Sequence, residues 1–205
     1  MLSTKTRKRR FASYLGDVTS PAKPVGTVAP VISGTAQVGQ TLTTTQGTWT
    51  GTPTPEKSIQ WFAGGLEIAG AQGTTYVPVI ADVGKTITVT VTGNSVAGIV
   101  RRSSVATSAV IAAVAPVNTV APAITGTAQV GQTLTTTNGT WTGAPTPTYT
   151  REWKAAGVVI SGATGTTYVP VIADIGKVIT CTVTATNVAA AVTATTAATA
   201  AVIAA

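Results

Sequence analysis

The sequence predicts an all-β chain of two tandem sandwiches behind a basic N-terminal arm, and three observations carry that prediction. Residues 25–113 recur at 117–205 with a constant offset of 92 and no gap, so most of the chain is one module written twice. Each copy consists of short β-branched runs punctuated by Gly, Pro and Asn, with no stretch of helical periodicity. Residues 1–24 belong to neither copy and carry six basic side chains against Asp17, which is +5 of the chain's formal +7. The expected organisation is an arm at 1–24, a first domain at 25–113, a linker at 114–116 and a second domain at 117–205.

Along the first copy, strands are expected near 28–33, 40–45, 58–62, 74–79, 85–92 and 99–110, with a short edge piece at 66–68. About seven strands suit a sandwich of this length. The clearest is 86–92, where Ile87, Val89 and Val91 alternate with threonines, so one face packs while the other meets water. With 89 residues, each copy is large enough for a core without a metal or a disulfide. The connection at 112–119 contains Pro116 and no Gly, which predicts a short, semi-extended joint. Strands of this length make each module about 35–40 Å long and the pair a rod.

Composition narrows the function. The chain has no His, one Cys and only six acidic residues, which the repeat scatters singly. The commonest general base is therefore missing, and no catalytic, cofactor-binding or metal-binding set is expected. Cys181 falls in the apolar register of its strand and reads as a small buried hydrophobe. Asp82 and Asp174, each two residues before a Gly, read as turn caps, since one carboxylate per module supplies too few oxygens for calcium. Trp49 and Trp141 read as packing residues in a Thr-rich strand, with stacking on a sugar as the alternative. The apolar stretch 11–15 is too short for a signal sequence, and no run of about 18 apolar residues could insert in a membrane.

The strings Ile68-Ala69-Gly70-Ala71, Thr74-Thr75-Tyr76-Val77-Pro78 and Ala81-Asp82-Val83-Gly84-Lys85-Thr86-Ile87, matched at 160–163 and 166–179, resemble the E-to-F region of bacterial and phage immunoglobulin-like repeats. The resemblance covers 25–205 and implies two tandem immunoglobulin-like Greek-key β-sandwiches, with Trp61 and Trp153 as the strand-C tryptophans of the inter-sheet core. Thr86 and Thr88 stand where the antibody-type pattern has Tyr and Cys, so its tyrosine corner and disulfide are not expected. The resemblance also implies a non-enzymatic phage virion protein, such as a capsid decoration, head fibre or tail accessory, assembled in the host cytoplasm, with weak adhesion to host-surface glycans.

In the arm, Lys5, Arg7, Lys8, Arg9 and Arg10 are followed by Phe11, Tyr14 and Leu15, a set suited to docking on an acidic, grooved surface of a capsid, portal, neck or tail component. Two other readings stand beside docking: a solvated tail, and a nucleic-acid-binding arm, against which counts the lack of a fold for base readout. A bacterial surface adhesin or matrix protein is the alternative for the whole chain. The copies differ at 56–60 against 148–152, at 62–67 against 154–159, and at 98–103 against 190–195. Those differences mark Arg101, Arg102, Arg151 and Lys154 as candidate module contacts. For Arg101-Arg102, charge that protects an edge strand is an equal reading.

Overall fold

The structure, a computed structural model, describes residues 20–205. In the first module the strands are β1 (Ala22–Val28), β2 (Ile32–Ser33), β3 (Leu42–Thr44), β4 (Thr48–Thr52), β5 (Glu56–Ala63), β6 (Leu66–Glu67), β7 (Thr75–Tyr76), β8 (Ile87–Ser95) and β9 (Gly98–Ser103). The second module repeats them as β10 (Val114–Val120), β11 (Ile124–Thr125), β12 (Leu134–Thr136), β13 (Thr140–Ala144), β14 (Thr148–Ala155), β15 (Val158–Val159), β16 (Thr167–Tyr168), β17 (Ile179–Thr186) and β18 (Ala191–Thr195).

One layer holds the long antiparallel pair formed by β1 and β2 against β4 and β3, with β7 beside β3. The other is the four-stranded sheet β6-β5-β8-β9. After β9 the chain closes the module through Val110 and Ile111, which bridge in parallel to Val83 and Gln37. This two-layer connectivity, repeated in β10–β18, is that of an immunoglobulin-like sandwich. The chain is therefore all-β, with two such domains.

Alternation along β8 produces the core. Ile87, Val89 and Val91 are fully buried while the intervening threonines are half-buried on the outer face. They meet Leu42 from the other layer and Trp61 from β5, whose indole Nε1 donates to the Gly73 carbonyl at 2.9 Å. Trp153 holds the same place beside Leu134, Ile179 and Cys181, and it donates to Gly165 at 3.0 Å. Cys181 is fully buried, and desolvation pushes its thiol pKa up, as a packing role requires.

Three sequence expectations change. The run expected at 99–110 ends at Ser103, because Ser104 Oγ and Thr107 Oγ1 accept the backbone N–H groups of Val89 and Ile87 at 3.1 and 3.0 Å. Side-chain oxygens there replace carbonyls of the ladder, and the strand bends away to the other layer. Secondly, β4 was not anticipated as a strand in its own right, although Trp49 was placed in extended chain. Thirdly, β1 begins at Ala22 and β10 at Val114, so residues 22–24 and 114–116 lie in strands instead of an arm and a linker. The structural repeat is 22–113 followed directly by 114–205, two contiguous units at the offset of 92.

Candidate functional site

The arm residues Lys5, Arg7, Lys8, Arg9, Arg10, Phe11, Tyr14 and Leu15 lie outside the described residues. Among the described residues no group of three or more Cys, Asp or Glu side chains is placed to hold a metal.

Each acidic residue at the E-to-F turn serves the fold. Asp82 is buried on a single 3-10 turn (Ile80–Asp82), where Oδ2 accepts from the Val79 N–H at 2.9 Å and from the Tyr76 hydroxyl at 2.5 Å. Asp174 repeats this with Val171 and Tyr168 at 3.0 and 2.5 Å. The cap was legible in the sequence; the tyrosine partner, six residues upstream, was not. Burial and then the neighbouring carboxylate raise both phenols above their ordinary range, Tyr168 to about 12.

The candidate contact residues mostly turn inward on their own modules. Arg102 lies across β1, its Nε donating to the Gly26 carbonyl at 2.9 Å, and a Cβ on residue 26 would stand 2.5 Å from Arg102 Cγ. In the second copy Asn118 replaces Gly26 and Ala194 replaces Arg102; the Asn118 amide donates to Val120 and Thr140 carbonyls instead. Arg151 takes the place of the buried Ile59, and its Nη2 donates to Asn138 Oδ1. Lys154 pairs with Glu152 on the same strand at 3.0 Å. Arg101 is exposed on β9.

Trp49 shows the same logic. It rests on Gly93, where an added Cβ would come within 2.6 Å of the ring, and its Nε1 donates to the Gln46 carbonyl at 2.8 Å. In the second module Ala185 replaces Gly93, and Trp141 lies instead 6.3 Å from the ring of Tyr149, which replaces Lys57. Some differences between copies thus touch: Gly26 under Arg102 becomes Asn118 opposite Ala194, and Arg151, in place of Ile59, meets Asn138, in place of Gln46.

Two surface features remain. Beside β5, a groove of about 440 Å³ of mixed lining includes Gln46, Lys57, Ser58, Gln60, Gln72 and Thr74. Gln60 Nε2 is held by the Ile68 and Trp61 carbonyls at 2.7 and 3.0 Å, so the amide is fixed in place. Between the modules lies a second recess of about 440 Å³, almost wholly apolar, formed by Val38, Gly39 and residues 77–81 of the first module with Val188 of the second. Gly39, at φ +82°, is what admits Val188: a Cβ there would fall 2.6 Å from Val188 Cγ1 and 3.3 Å from Pro145 Cγ. None of Arg101, Arg102, Arg151 and Lys154 lines this joint. Sequence reading missed it because its residues are unremarkable valines and prolines, identical in both copies.

No family model and no curated protein matches the chain. Solved structures similar to it include immunoglobulin domains 1–5 of Sidekick-1, at 20% identity and a TM-score of 0.48, covering 90% of this chain and 40% of that one. A chimeric titin Z1Z2 carrying a decorin peptide is similar at 14% identity and a TM-score of 0.45, covering 91% and 99%. The three N-terminal domains of the bacteriophage RB49 highly immunogenic outer capsid protein are similar at 18% identity and a TM-score of 0.40, covering 86% and 59%. The connectivity described above makes this chain a tandem of two immunoglobulin-like β-sandwich domains.

Proposed function

We propose that this chain is a non-enzymatic structural protein of a phage-like virion, a capsid decoration, head fibre or tail accessory, with an arm that docks on a virion component and two immunoglobulin-like domains that project from it. The observation that carries this reading is the division of charge: +4 of the +7 sits in residues 1–21, ahead of β1, while the remaining +3 is spread over the two duplicated sandwiches. An address on one segment and reach in the other is the economy of an anchored spacer. The amide-lined groove beside β5 supports weak contact with host-surface glycans, since fixed amides and hydroxyls suit sugar hydroxyls.

The test is deletion of residues 2–19, leaving β1 and its buried Pro24 intact. The shortened chain is expected to melt like the full one but to disappear from purified particles in immunogold electron microscopy. Particle labelling that persists after the deletion refutes arm docking. Attachment that collapses between about 50 and 200 mM salt, with equal affinity for bare duplex DNA, would instead establish the nucleic-acid reading of the arm.

A further inference from the structure

The two ends of each module are complementary, and among the described residues one pair of ends is in contact. At the joint, the Pro145 and Val188 knob of the second module meets the Val38 and Gly39 corner of the first, walled by residues 77–81. The offset of 92 carries every one of these residues into the other copy unchanged: Pro53 and Val96 repeat the knob, and Val130, Gly131 and residues 169–173 repeat the socket.

Among the described residues the other two ends meet no neighbour. Pro53 and Val96 line one recess at the β1 end of the first module, with Val96 83% exposed against 54% for Val188. At the far end, a Cβ on Gly131 would meet nothing within 4 Å, whereas on Gly39 it meets the second module. Val38 is buried, while its counterpart Val130 is only half-buried. Ile172 stands 77% exposed, close to its counterpart Ile80 at 78%, so the difference between the two sockets is confined to the Val130 and Gly131 corner.

We propose that copies of this chain assemble head to tail, the Pro53 and Val96 knob of one copy seating on the Val130, Gly131 and 169–173 socket of the next. A second copy is the occupant because the same residues already form this contact once, in the same direction along the chain. The interface is heterologous, so it propagates instead of closing a dimer. It is also weak. The internal joint is held shut by continuous chain at an effective concentration of order millimolar, an advantage a separate copy lacks. The free knob is less braced as well, since Asn187, whose amide ties the Pro145 and Val114 carbonyls at 2.9 and 2.7 Å, is replaced by Ser95. A dissociation constant on the order of 1 mM follows, which matters where anchored chains crowd.

The experiment is sedimentation equilibrium of the full chain at about 10 µM and about 1 mM, in about 0.5 M NaCl to screen the arm. Weight-average mass is expected to rise about twofold across that range. Val96→Asp and Gly131→Asn, the second placing a side chain where Val188 sits at the internal joint and using a residue type that tolerates the positive φ, are both checked for folding by thermal melts and should each remain monomeric alone. Their equimolar mixture should form one-to-one dimers and nothing larger, since Gly131→Asn retains a good knob and Val96→Asp a good socket. A native chain that stays monomeric at the higher concentration overturns the proposal and leaves the free ends to a different partner. Variants that associate like the native chain, or a mixture that does not pair, overturn it too.

Discussion

Tyr76 and Tyr168, whose phenols are pushed up first by burial and then by Asp82 and Asp174, give the fold its behaviour at high pH. A phenol whose folded pKa lies above its unfolded value near 10 stabilises the fold fully below pH 10 and loses that contribution as pH rises through the folded value. With Tyr168 at about 12 and Tyr76 raised as well, stability should be lost between pH 10 and about 12. Urea midpoints for the second module at pH 9, 10, 11 and 12 should fall in that window, and Tyr168→Phe should flatten the fall. A slope unchanged by that substitution would assign the loss to other groups. The capping aspartate was readable in sequence because Asp before Gly at a turn has a local cause. Its tyrosine was not, because the contact exists only once β7 and the 3-10 turn are folded together.

At the scale of the element, β8 was legible and the chain after β9 was not, and the contrast has a physical origin. Strict apolar alternation reports one buried face, and Ile87, Val89 and Val91 deliver it. The break at Ser104 leaves no such trace, because a hydroxyl that replaces a carbonyl in the ladder looks in sequence like any Ser or Thr on an outer face. The compensating pairs were half legible: the positions that differ between copies were evident, but not that they touch. They make a prediction for β4 and β8. Gly93→Ala should destabilise the first module by about 1–3 kcal/mol in urea unfolding, because Trp49 occupies the space of the new methyl. The second module carries Ala185 at that position, with Trp141 beside Tyr149, so the cost belongs to the packing partner and not to alanine in a strand. A neutral Gly93→Ala would show that Trp49 moves freely.

For the whole molecule, the repeat made the two-domain architecture plain, while the meeting of the domains had to be seen. Val96 and Val188 are the same residue at the same place in the same module, and only the structure shows one of them against a neighbour and the other in solvent. Val188→Asp should therefore leave both modules' melting temperatures within about 2 °C of native, as expected for an exposed site. It should still broaden the distribution of interdomain distances in X-ray scattering. An unaltered scattering profile would mean that the short connection, and not Val188, sets the domain angle.

Because the units 22–113 and 114–205 abut with no residue between them, each carries a whole knob, a whole socket and its own half of the connection. An in-frame gene duplication of that length adds a domain together with a ready-made joint, so adding or removing a domain requires no compensating mutation. Number of domains, on this account, is the property of the chain that evolution can change most cheaply.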